Sequence, residues 1–160
     1  MHQAAALDFN EAVMLLLLNK ADPNIANDLH QTPLHLAIQL GNFKNILSLI
    51  NNKADVNVQD FHEETGLHIA INTKNLKLIK LLLTKKIAPD LDPNRIDTLD
   101  NTPLHLAAEN GFKLLIDYNA NINAQNLIDQ TPLDLAQEFD HQDIVDMLKL
   151  VNSVQVTGDI

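Results

Sequence analysis

The sequence predicts an all-α solenoid of helix–turn–helix units joined by β-turns. Three observations predict it. A threonine-led motif returns four times, as Thr32-Pro33-Leu34-His35, Thr65-Gly66-Leu67-His68, Thr102-Pro103-Leu104-His105 and Thr131-Pro132-Leu133-Asp134. An asparagine stands eight residues before each threonine, at Asn24, Asn57, Asn94 and Asn123. The threonines lie 33, 37 and 29 residues apart, which sums to three periods of 33. A single unit of that size cannot bury its apolar face alone, so units must stack on one another.

The elements of a unit follow from local chemistry. Thr32 can cap a helix with its hydroxyl, and Pro33 suits the first helical position, where its missing N–H costs nothing. Leu34, Leu36 and Ala37 give a short apolar face, and Gly41 ends the helix in a conformation open mainly to glycine. Ile46, Leu47, Leu49 and Ile50 at helical spacing predict a second helix. Ala54-Asp55-Val56-Asn57 then leads through an extended turn to Asp60 and the next threonine. The same register places Met1, His2, Ala4 and Ala5 on the first helix of an opening unit without Thr-Pro, and Met14–Leu18 in its core. Five units result, at about 1–26, 27–59, 60–96, 97–125 and 126–150, with 151–160 expected as a frayed tail.

The run Thr102-Pro103-Leu104-His105-Leu106-Ala107-Ala108, followed by Gly111 and Leu114-Leu115-Ile116, resembles the ankyrin repeat family over roughly residues 1–150. That family's unit carries Thr-Pro-Leu-His-Leu-Ala-Ala, then Gly, then Leu-Leu-Leu, then Gly-Ala-Asp-Val-Asn-Ala. Against this pattern, Gly66 replaces proline, and Lys74 replaces the glycine that ends the first helix. A non-glycine held left-handed is strained by roughly 1 kcal/mol, so that junction is expected to be less well ordered. The third unit carries about four extra residues within Thr84–Leu91, expected to lengthen its second helix by a turn before Pro89. The fourth runs from Gly111 straight to Leu114, about four residues short, so its second helix should lose a turn. The between-repeat turns hold His30, Glu63, Asp100 and Asp129 where the family has glycine, predicting less regular turns.

Composition narrows the function. The chain has 160 residues, 46% hydrophobic, with aromatics at only 4% and no Trp, so its core must be mostly aliphatic. Without cysteine there are no disulfides, thiolate metal sites or thiol nucleophiles. The longest apolar run, Ala12–Leu18, is far too short to span a bilayer and lacks the basic flank of a signal peptide. A cytoplasmic protein is expected, or one in a host cytosol if the Asn- and Lys-rich composition reflects a microbial effector. A net charge of −10 disfavours nucleic acid and anionic membranes and favours a basic protein partner.

No catalytic, cofactor or metal constellation emerges. His2, His35, His68 and His105 occupy one motif position, and the resemblance implies that they bond locally and to the adjoining repeat. His62-Glu63 precedes His68 by the wrong spacing for a His-Glu-x-x-His zinc helix. Neither Ser48 nor Ser153 sits in a nucleophile elbow, and the four glycines are scattered. Glu63/Glu64 and Asp90/Asp92 read as solvated surface. The chain is expected to be no enzyme.

The resemblance implies a protein–protein interaction scaffold that binds through the β-turn tips and the exposed ends of the first helices, which line a concave face. Mapped here, the tips are Asp28, Leu29, His30 and Gln31; Phe61, His62, Glu63 and Glu64; Thr98, Leu99, Asp100 and Asn101; and Leu127, Ile128, Asp129 and Gln130. The first-helix positions are Gln39 and Leu40, Asn72 and Thr73, Glu109 and Asn110, and Glu138 and Phe139. The turns carry Asp28, Asp60, Glu63, Glu64, Asp97, Asp100 and Asp129 with no Lys or Arg, whereas Lys74, Lys77, Lys80, Lys85 and Lys86 gather around the third unit's second helix. Apolar side chains ringed by polar ones mark a contact surface, and Phe61 is the best single anchor. The alternative for Leu99 and Ile128 is that they tuck against the neighbouring tip. A monomer binding a basic or Lys/Arg-plus-apolar partner is the leading expectation. The alternatives are a recruitment domain of a larger enzyme or secreted effector, and a self-associating structural protein.

Overall fold

The computed structural model describes residues 1–157, and its described residues form helices and turns without a strand. Contacts divide the chain into two compact units, Met1–Asp92 and the chain from Pro93 onward. The first unit contains α1 (His2–Ala6), α2 (Asn10–Leu18), α3 (Pro33–Gln39), α4 (Phe43–Asn51), α5 (Gly66–Asn72) and α6 (Leu76–Leu83). There α3 packs on α1, α4 and α5, while α2 packs on α1 and α4. The second contains α7 (Pro103–Glu109), a 3-10 helix (Lys113–Tyr118), α8 (Pro132–Glu138) and α9 (Gln142–Thr157). Here α7 packs on the 3-10 helix and α8, and α8 on α9.

The cores are aliphatic, as the composition requires. Ile38, Ile46, Leu49, Leu67, Ile71, Leu78, Ile79 and Leu82 are fully buried in the first unit, and Leu104, Leu115, Ile144 and Leu148 in the second. Each such side chain stabilises by about 1.5–3 kcal/mol relative to exposure.

The first helices start as the motif predicts. Thr32, Thr65, Thr102 and Thr131 stand at the N-cap with extended backbone. The Nδ1 of His35 accepts from the Thr32 N–H at 3.0 Å and faces its hydroxyl at 2.9 Å. With Nδ1 an acceptor, Nε2 carries the proton and donates to the Val58 carbonyl at 3.0 Å. His105 does the same from Thr102 to the Gln130 carbonyl at 3.0 Å, and His2 reaches the Gln31 carbonyl at 3.0 Å. Burial pushes the His35 and His105 imidazoles below their ordinary 6.5, against the opposing pull of their hydrogen bonds. Asp134 takes the histidine's place in the last motif and closes the same cap on Thr131, which holds its carboxyl below the usual range.

Three of the asparagines eight before each threonine act as staples. Asn24 donates to the Lys53 carbonyl at 3.1 Å and accepts from the Asp55 N–H at 2.8 Å. Asn57 spans the Asp90 carbonyl and Asp92 N–H in the same way, and Asn94 the Asn119 carbonyl and Asn121 N–H.

The third unit's extra residues do not lengthen its helix. α6 ends at Leu83, where Thr84 turns extended and its hydroxyl donates to the Lys80 carbonyl at 2.8 Å. Ile87 and Ala88 then donate back to the Thr84 carbonyl at 2.7 and 3.1 Å, so the insertion folds as a separate turn. In the fourth unit the shortened helix changes type as well as length. Six residues of 3-10 helix span about 12 Å, against about 13.5 Å for a nine-residue α-helix, so the tighter winding recovers much of the lost reach.

Three further expectations need correction. The between-repeat turns are regular: His30, Glu63, Asp100 and Asp129 all sit at φ between 57 and 60°. An Asn or Asp at the start of each turn closes it. The Oδ1 of Asn27 accepts from the Leu29 and Gln31 N–H groups, and Asp60, Asp97 and Asn126 repeat the pattern. The leucine run Met14–Leu18 is not all core, because α2 packs chiefly on α1 and α4; Leu17 is buried, but Leu15 and Leu18 are 62% and 75% exposed. In the fourth unit's equivalent run Leu115 is buried, while the side chain of Leu114 lies outside the described residues. Finally, α9 continues through Thr157, so 151–157 is helix rather than tail, and 158–160 lie outside the described residues.

Lys74 does adopt the left-handed backbone expected of it, with φ 55°. Asp8 and Asp140 do the same at the equivalent positions of the first and last units. Gly66 has its own reason: a Cβ there would lie 2.4 Å from Cδ1 of the buried Ile38.

Candidate protein-interaction surface

Each tip is built on the Asx-closed turn, and adjacent tips within a unit of the chain are joined by one backbone bond. Phe61 N–H donates to the Leu29 carbonyl at 3.0 Å, and Leu127 N–H to the Leu99 carbonyl at 2.9 Å. The apolar tip residues therefore stand in pairs, Leu29 beside Phe61 and Leu99 beside Leu127. All four are exposed, with Phe61 at 64%. Ile128 is 70% exposed and Leu99 57%, so neither tucks against a neighbour. The Phe61 ring meets the imidazoles of His30 and His62 edge to face, with centroids 6.2 and 5.7 Å away.

The tips are tied to the helix ends they approach. Asn72 donates to the Glu64 carboxylate at 2.7 Å, and Gln130 to the Glu138 carboxylate at 2.8 Å. Glu109's carbonyl accepts from His141 Nε2 at 2.9 Å, and Asn110 donates to the Leu106 carbonyl. Gln31, Gln39, His62, Glu64, Asn72 and Thr73 come together around one cavity of about 320 Å³ in the first unit. Leu40 stands exposed beside Gln39, and Phe139 beside Glu138. Asp28 and Thr98 are exposed on their own tips.

Some expected site residues are withdrawn from the surface. Asn101 is buried: its amide donates to Asp97 and its oxygen accepts from Asn126 at 3.0 Å, so it serves the turn rather than a partner. Asp60 and Asp97 are likewise buried as turn acceptors and do not contribute to an exposed acidic face. The acids left at the tips are Asp28, Glu63 and Asp129, with Glu64 and Asp100 partly covered. The sequence signal for this withdrawal is an Asn or Asp five before each threonine, where a short acceptor can close the turn.

The motif histidines spend both ring nitrogens on structure where both bonds are described, at His35 and His105. Among the described residues no group of three or more His, Asp or Glu could hold a metal ion, and no helix is long and apolar enough to cross a membrane.

No curated protein matches the sequence significantly. The family model for ankyrin repeats (three copies) matches residues 1–97 and 67–157. Repeats of this family generally mediate protein–protein interaction and are typically non-catalytic. With those matches spanning nearly the whole chain, on a fold of Thr-capped helix pairs, the protein belongs to the ankyrin repeat family.

Proposed function

We propose that the protein is a non-enzymatic docking module that binds another protein through its turn tips and first-helix ends. The observation that carries this is Phe61, a ring 64% exposed on a turn whose backbone is closed by Asp60. Leu29, Leu99, Leu127 and Ile128 repeat the arrangement. Apolar anchors beside exposed acids, Asp28 and Glu63 on the tips of the first compact unit and Asp129 on a tip of the second, favour a partner surface that sets Lys or Arg beside apolar side chains. The net charge of −10 steers association in the same direction. Because the turns are already ordered, binding costs little further conformational entropy. A monomer suffices for this function.

The test is affinity capture with the wild type, a Phe61→Ala, Glu63→Lys, Asp100→Lys variant, and a Lys77→Glu, Lys85→Glu, Lys86→Glu variant, each of verified fold. The tip variant should lose partners that the second variant keeps. If every captured partner persists on the tip variant, the assignment of the binding surface is wrong.

A further inference from the structure

We infer that the cavity beside the turns of the second and third repeats receives an extended segment of the partner's chain, with an apolar side chain on Phe61 and Leu29 and flanking Lys or Arg residues. This rests on the docking function proposed above and names the ligand of that surface. The cavity's volume of about 320 Å³ lies at the low end of the roughly 300–1,000 Å³ of ligand clefts. It suits a strand of main chain with a side chain or two better than a folded element.

Its lining favours unpaired main chain. Gln31, Gln39 and Asn72 contribute side-chain amides, each with a donor and an acceptor in one plane, which is the pair a peptide group presents. Asn72 already donates to Glu64 at 2.7 Å, leaving its oxygen as an acceptor. Thr73 donates its hydroxyl proton to the Ile69 carbonyl at 2.9 Å, which leaves its oxygen to accept. The peptide groups of a folded partner are mostly paired among themselves, whereas those of an extended segment are not.

The two tips that give Gln31 and His62 to the cavity select the side chains. The bond from Phe61 N–H to the Leu29 carbonyl sets these two apolar side chains on adjoining tips, and His30 and His62 brace the ring edge to face. Asp28 and Glu63 are exposed on the same two turns, which carry no Lys or Arg. An apolar residue between cations therefore meets complementary groups, and an acidic segment is repelled.

The experiment is selection of a displayed library of random dodecapeptides on the whole protein. Labelled synthetic copies of the enriched sequences are then measured by fluorescence anisotropy. The expected consensus is an apolar residue flanked by Lys or Arg. Its affinity should fall at least tenfold on Phe61→Ala, several-fold on Asp28→Lys with Glu63→Lys, and not at all on Lys77→Glu. Gln39→Ala should weaken binding without changing the preferred sequence. Enrichment of peptides lacking the basic residues, equal binding to all variants, or failure to enrich any peptide would overturn the inference. If the tip variant still loses its partner in affinity capture while no peptide binds, the docking function stands and only the extended-segment ligand is wrong. If the tip variant keeps every partner, the docking surface falls as well.

Discussion

The first helices α3, α5, α7 and α8 are each seven residues long, whereas the second helices range from a six-residue 3-10 helix to the sixteen residues of α9. The difference lies in what holds their ends. A first helix begins at a threonine clamped by His or Asp and follows a turn closed by an Asx side chain. Its length cannot change without breaking those bonds. A second helix needs only to bring the chain back to the asparagine staple, and that bond closes over sequence separations of 29, 33 and 25 residues. The insertion and the deletion both fall inside those spans. Among the Thr-capped repeats, irregularity is therefore confined to the second helices and the turns after them, and the tips remain uniform.

The most severe test adds one residue to each region. An alanine inserted between Ala37 and Ile38 rotates the rest of α3 by about 100° and takes Ile38 out of the core, so a loss of more than about 3 kcal/mol is expected. An alanine inserted after Lys86, in the exposed turn, should cost less than about 1 kcal/mol. Urea unfolding monitored by circular dichroism compares the two, and equal losses would refute the contrast.

Next in size is His35→Ala. It leaves the Thr32 N–H and the Val58 carbonyl without their partner and opens a hole at a buried site, for a loss of about 3 kcal/mol in the same urea measurement. Gly66→Pro restores the family's usual residue and is nevertheless expected to cost about 1–3 kcal/mol, because the ring meets Ile38. Ile38→Val removes the clashing Cδ1, so a double-mutant cycle should show the two changes partly offsetting each other. Strict additivity would mean that this contact is not the reason for Gly66.

Acidification gives a smaller effect with a defined sign. Burial holds the folded His35 and His105 below the ordinary 6.5, so below that pH the unfolded chain binds more protons than the folded one. The stabilisation is complete above about pH 6.5 and is lost as the pH falls through the lower folded values. The urea midpoint should drop between pH 7 and 5, and the drop should shrink in His35→Gln and His105→Gln. Smallest is Lys74→Gly, which relieves a φ of 55° and should gain about 0.5–1 kcal/mol after allowing for the greater freedom of unfolded glycine.

Much of this architecture is legible in residue order because its determinants are local. Thr32 and His35 are three residues apart, so spacing reveals the helix cap. The turn that Asn27 closes within four residues is equally local, but the missing glycine pointed to irregular turns and hid the Asx closure. The tip residues of the candidate surface follow from the same register. The fate of the extra residues after Leu83 was not legible, since a helix and a separate turn both satisfy the local pattern until Thr84 leaves the helix. The burial of Asn101 and the exposure of Leu15 depend on neighbours far away in the chain, and residue type alone does not settle either.

Residue order alone was enough for the repeat, its register, the threonine helix caps and the family, because each rests on interactions within a few residues or on a period that composition cannot hide. Where that period could bend was settled only in three dimensions. There the chain winds Lys113–Tyr118 as a 3-10 helix, sets Gly66 against Cδ1 of Ile38, and gathers Gln31, Gln39 and Asn72 around one cavity. The last two features depend on side chains from different repeats meeting in space, and no local pattern encodes such a meeting.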